Sequence, residues 1–251
     1  MRDVLIAFFS ISLLAATAAA DEPWLDKSYR SWNQKDVHKI LNDSPWAQNV
    51  QASAPWLRRT TVAQFPRRRP GDTAPGETDY PTTPASDASQ PYGLPPGAGI
   101  ANAPLASFLI RWGSAKTMRA AEAREAILRG RMQAGEVDEI LKQEPSEYEL
   151  VLVINPSVGL PERDEYKLQD SAHLRGMRMK SDVLATRAKI EESPDGKSIQ
   201  VHFYFPKQTS GGNPSLSPDE TQIEFECLVA GATIRAEFQP QKMRTETGPD
   251  L

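Results

Sequence analysis

KSIQVHFYF, residues 197–205, decides the fold class. Val201, Phe203 and Phe205 fall on one side of an extended chain, and His202 and Tyr204 fall on the other. That period of two is the mark of a half-buried strand. A turn at Pro194-Asp195-Gly196 precedes it, and before the turn SDVLATRAKI reads as another strand. TQIEFECLV and ATIRAEFQ follow, joined near Gly231, so the C-terminal portion reads as antiparallel strands in succession. Upstream, PLASFLIRWGS is strand-like over residues 105–112, and YELVLVIN is a strand over 148–155 ending at Pro156. Between these two, AKTMRAAEAREAILRGRM has strong helix propensity, with Met118, Ala121, Ile127 and Leu128 toward one side. EVDEILKQE adds a shorter helical turn closed by Pro145, and DEYKLQDSAHLRG contains one more helix. A strand-helix-strand opening followed by a β-meander predicts an α+β fold, mainly antiparallel sheet with helices on one face. No internal repeat is evident.

Four parts are expected. MRDVLIAFFSISLLAATAAA, residues 1–20, reads as a secretory signal peptide: Arg2 near the start, an uncharged apolar stretch, then small residues at Ala18-Ala19-Ala20. Cleavage there leaves Asp21 as the mature N-terminus and an exported, periplasmic or secreted protein without a later spanning segment. Residues 21–56 form a short helical part rich in tryptophan. Residues 57–104 begin with an arginine cluster, Arg58, Arg59, Arg67, Arg68 and Arg69, and continue into a Pro/Gly-rich stretch without Lys or Arg. Such a stretch buries too little apolar surface to offset the entropy of ordering, so it reads as disordered. Residues 105–251 are the α+β domain.

Composition narrows the function. The formal net charge of −4 gives no electrostatic footprint for nucleic acid. The arginine cluster could touch an anionic surface, but solvated charge is the commoner outcome. Cys227 is the single cysteine, so no intrachain disulfide forms, and it shares a strand face with Ile223, Phe225 and Val229 as a small core residue would. His38, His173 and His202 show no metal-ligand spacing, and no glycine-rich phosphate or dinucleotide motif and no nucleophile elbow occur. Neither cofactor nor metal is expected.

Three groups of residues remain as candidates. His202 could meet Glu224 or Glu226 if their strands pair, giving an acid-base couple; an exposed polar pair on a sheet is the plainer account. Trp24, Trp32, Trp46 and Trp56 fall close together, three of them directly after proline. Exposed indoles could line a groove for a peptide or glycan, and buried ones would anchor an irregular segment, which is the reading favoured here. In LNDSPWAQNV, residues 41–50, Asp43 and Ser44 could be read as carboxylate and nucleophile. Capping and pre-proline geometry already explain them: a helix over residues 33–42, with a Ser31/Gln34 capping box, ends before Pro45, and Pro45 opens a second short helix.

The string WNQKDVHKILNDSPWA, from Trp32 to Ala47, resembles the signature of an uncharacterised family of exported bacterial proteins. Members place this motif soon after a signal peptide, follow it with a variable Gly/Pro-rich insert, and then carry an R-W-x-S-A element, here Arg111, Trp112, Gly113, Ser114 and Ala115. A C-terminal stretch ending near Gln241-Lys242-Met243 completes the likeness, which covers most of the mature chain. Some members carry a GWxTD-type label, and that tetrapeptide is absent here. The resemblance implies export and architecture but no activity. The expectation is therefore a non-enzymatic binding or envelope-associated module with an envelope protein or glycan as partner. The alternative is an exported hydrolase or transferase that uses His202 with Glu224 or Glu226.

Overall fold

The computed structural model describes residues 22–60, 103–178, 180–193, 195–245 and 248–251, with the backbone alone for 58–60. Residues 1–20, expected to be a signal peptide, lie outside the described residues, as do Arg67, Arg68, Arg69, the Pro/Gly-rich stretch and the side chains of Arg58 and Arg59.

The chain runs α1 Pro23–Asp26, α2 Gln34–Asn42, β1 Ala47–Ser53, β2 Leu105–Trp112, α3 Lys116–Leu128, α4 Ala134–Lys142 and β3 Glu147–Ile154. It continues with α5 Glu165–Asp170, β4 His173–Gly176, β5 Ser181–Leu184, β6 Arg187–Glu192, β7 Ile199–Pro206, β8 Ile223–Val229, β9 Ala232–Phe238, β10 Arg244–Thr245 and β11 Gly248–Pro249. This is an α+β fold in which every ladder is antiparallel.

The strands divide between two main sheets rather than forming one meander. One sheet has the order β1-β2-β3-β7-β6 and the other β5-β4-β8-β9. The segment read as a single strand over SDVLATRAKI breaks at Ala185-Thr186, where the chain crosses from one sheet to the other. Ala185 N–H donates to the carbonyl of Ala172, and Thr186 N–H donates to that of Tyr204. The inner faces meet in an aromatic core: Phe203 lies 5.4 Å from Phe225, and Trp112 meets Phe238 edge-on at 5.2 Å. Cys227 is fully buried in this layer beside Ile223, Phe225 and Val229, and burial pushes its thiol pKa well up.

The tryptophan-rich N-terminal part supplies an edge strand as well as helices. β1 pairs with β2 along its whole length, from Ala47 opposite Arg111 to Ser53 opposite Leu105. Helix α2 matches the expected span of residues 33–42 to within one residue, but its capping box is not Ser31/Gln34. Asn33 is the N-cap, its side chain accepts from the amides of Lys35 and Asp36, and Asp36 returns the bond to Asn33 N–H. No second helix starts at Pro45: Ser44 bridges to Ala47, and the chain turns directly into β1. The Ser44 hydroxyl instead donates to the carbonyl of Ile40, an orphan acceptor of the helix end. Among the described residues no helix is long and apolar enough to cross a membrane.

Candidate functional site

The four N-terminal tryptophans point inward to differing degrees. Trp46 is fully buried, meets Trp24 edge-on at 5.7 Å, and donates through Nε1 to the carbonyl of Asp250 at 2.7 Å. Trp32 is buried and donates to the carbonyls of Pro23 and Lys27. Trp24 is 9 % exposed. Trp56 is half-buried against Phe108 and donates to the carbonyl of Val158. These indoles tie irregular segments to the sandwich, and Trp24 and Trp32 also line a cavity of about 420 Å³ with Tyr29 and Leu141.

The Trp46 contact continues into α3. The Asp250 carboxylate accepts from the amides of Lys116 at 2.6 Å and Thr117 at 2.9 Å. Ala115, the residue at the N-cap, has no side chain able to do this. Asp250 thus caps a helix more than a hundred residues earlier in sequence. The Asp43-Ser44 corner serves to aim Trp46 at that contact.

His202 does not meet Glu224 or Glu226. Its strand, β7, pairs with β3 and β6, whereas Glu224 and Glu226 sit on β8 in the other sheet. There the two glutamates form cross-strand ion pairs with Arg175 and Arg235. The histidine's partner is Glu149 on β3, whose Oε1 lies 2.7 Å from Nδ1. A carboxylate can only accept, so Nδ1 carries the proton. That is the only side-chain hydrogen bond of His202 among the described residues; its buried Nε2 has none and lies 3.9 Å from Glu191. Only 15 % of the side chain is exposed.

Neighbouring groups complete a polar cluster on the outer face of the five-stranded sheet. Tyr204 stacks on the imidazole at 6.5 Å, and the Arg187 guanidinium lies over the phenol ring at 3.7 Å. Burial, together with the negative Glu149, pushes the Tyr204 pKa up to about 12. Gly113 makes room here, because a Cβ on it would meet Val151 at 3.1 Å and Glu149 at 3.4 Å. On α3, Glu122 keeps access to solvent, yet the protein crowded around it raises its carboxyl pKa against the pull of Arg111.

Arg111 lies in the same cross-strand row as His202, with Val151 between them, so their Cα atoms are about 10 Å apart at two strand spacings. Its Nε donates to the carbonyl of Leu41 at 2.8 Å and its Nη2 to Asn42 Oδ1 at 3.2 Å, closing the C-terminal end of α2. Burial lowers the guanidinium pKa against the pull of Glu122 and Glu125, and no carboxylate among the described residues forms a salt bridge with it. Arg111 also lines a cavity of about 250 Å³ formed by the ends of α2 and α3, the sheet face and the β6–β7 turn. In the sequence Arg111 stood out only as the first residue of the R-W-x-S-A element, and Glu149 not at all. The available signal was one polar residue within FLIRW and one within YELVLV, and strand order alone gives such residues partners.

His173 pairs with Asp182 at 3.1 Å on the second sheet, His38 lines the Arg111 cavity, and no group of residues able to hold a metal ion occurs among the described residues. No family model matches the chain, and no curated protein or solved structure matches it.

Proposed function

We propose that the protein is an exported, non-enzymatic binding or envelope-associated module that binds through the outer face of its five-stranded sheet. One observation carries this reading: polar groups converge on that face, and Arg111 Nη1, which is not sealed from solvent, has no hydrogen bond among the described residues. A charged donor held in place with a nitrogen left unpaired favours an external acceptor. The tryptophans are largely taken up in packing, which favours the sheet face over an indole groove as the binding surface. Export and the envelope partner rest on the N-terminal segment and on the likeness to exported bacterial proteins. The test is a cross-linked pull-down from intact cells, with N-terminal sequencing of the captured protein. Mature chain starting at Asp21 and a reproducible protein or glycan partner are expected. A chain retaining residues 1–20, or repeated absence of any partner, would count against it.

A second reading is favoured by the 2.7 Å contact between His202 and Glu149, the arrangement of a base held by a carboxylate. On this reading the protein is a hydrolase or transferase, with Glu149 in the place given to Glu224 or Glu226 in the sequence reading. A screen against ester, amide and glycoside substrates decides it: turnover abolished in His202→Ala and sharply reduced in Glu149→Gln supports the enzyme, and identical rates in both variants remove it.

A further inference from the structure

The cavity lined by Arg111 has a charge pattern that specifies a ligand. Arg111, Arg129, Arg131 and Lys197 face it, against the carboxylates of Glu125 and Asp195, so a formal excess of two positive charges remains on a chain of net charge −4. The two carboxylates are already engaged by one cation: Arg129 binds Glu125 at 2.7 Å and Asp195 at 3.2 Å. Arg111, Arg131 and Lys197 form no salt bridge among the described residues, although Arg111 feels Glu122 and Glu125 and Lys197 feels Asp195 at longer range. Arg111 presents Nη1 without a hydrogen bond among those residues, and this nitrogen is not sealed from solvent. Its guanidinium is also held in place by Leu41 and Asn42, so ordering it costs a ligand little.

We infer that this cavity binds a phosphate monoester, with the fixed Arg111 fork as the central donor and Arg131 and Lys197 as the flanking charges. A dianion matches the formal excess of two positive charges among the lining residues, and guanidinium forks suit phosphate oxygens. Gln200 and Ser198, which also line the cavity, add neutral polar groups beside the ester linkage. This inference rests on the outer face being the binding face, and it gives that face a ligand chemistry.

The experiment compares methyl phosphate with dimethyl phosphate at pH 8 by calorimetric titration of the purified protein. The two probes are alike in shape but carry two charges and one. Binding of methyl phosphate should be about tenfold tighter, and raising salt should weaken it. The Arg131→Gln/Lys197→Gln double variant alters two exposed side chains without hydrogen bonds among the described residues, so it keeps the fold and should lose about tenfold in affinity. Arg111→Lys keeps the charge, loses the fork, and should lose at least as much. Glycerol 3-phosphate and phosphatidylcholine vesicles carrying phosphatidate separate a soluble ester from a lipid headgroup as the source. Equal affinity for both probes, or unchanged affinity in the double variant, overturns the inference, as does absence of binding to every phosphate probe. If phosphate binding fails while partner capture through the same face persists, the ligand assignment falls and the binding-module reading stands.

Discussion

Replacing Asp250 by alanine removes both acceptors at the start of α3 and leaves the Lys116 and Thr117 amides unpaired, the second of them on a residue only 5 % exposed. Loss of an N-cap costs about 0.5–2 kcal/mol, and loss of a negative charge at a helix N-terminus costs about 0.3–1 kcal/mol more. The expected destabilisation is about 2 kcal/mol, or about 4–8 °C in Tm for a chain of this size. Asp250→Asn keeps one acceptor and loses the charge, so about half of that is expected. The Trp46 bond goes to the main-chain oxygen of residue 250 and survives both changes. Deleting residues 250–251 removes it too, adding about 1 kcal/mol. Urea unfolding followed by tryptophan fluorescence measures all three variants. An Asp250→Ala midpoint indistinguishable from wild type would refute the claim that the C-terminal segment holds α3 and the Trp46 corner together.

Asp195, in the turn between β6 and β7, has its pKa lowered to about 2 by the Ser193 hydroxyl, the Lys197 amide and Arg129. A carboxyl depressed in the folded state contributes stability that is complete above its ordinary value and is lost as pH falls toward about 2. Asp195→Asn should therefore cost stability at pH 6 and converge on wild type near pH 2, and a carboxyl titration midpoint near the ordinary value would contradict this. Tyr204 should ionise near 12, and Glu149→Gln should bring that midpoint down because a negative neighbour is removed; an ultraviolet titration unchanged by the substitution would argue against the Glu149 contact. Cys227 should resist a thiol reagent at pH 8 until the protein is unfolded, and rapid labelling of the native protein would place it elsewhere than in the core.

Strand identity was readable wherever one face is buried and the other is wet, because residue alternation then records the sheet directly. IQVHFYF, IEFECLV and ATIRAEF each become one strand with the apolar set inside. β1 is not legible in the sequence because AQNVQAS has only Ala47, Val50 and Ala52 as apolar residues; as an edge strand in contact with α2, it needs little apolar surface. Pairing was less legible than identity. The bond between His202 and Glu149 spans 53 residues, and nothing local to either strand states that β7 lies beside β3 rather than β8. The break at Ala185-Thr186 was hidden for a related reason: both halves keep strand character, and only the presence of two sheets requires the chain to cross there. At the Asp43-Ser44 corner the sequence pointed to backbone chemistry, and the structure puts Trp46 in the core; its hydrogen-bond partner, Asp250, lay 204 residues away.

The most direct test of the central claim places a photo-cross-linking amino acid, in living cells, at Lys189 or Gln200 on the outer face of the five-stranded sheet, and separately at Thr233 or Glu237 on the outer face of the four-stranded sheet. The account expects one discrete adduct from the first pair, competed by a phosphate monoester, and none from the second. Adducts from the second face alone, or equally from both, would contradict it.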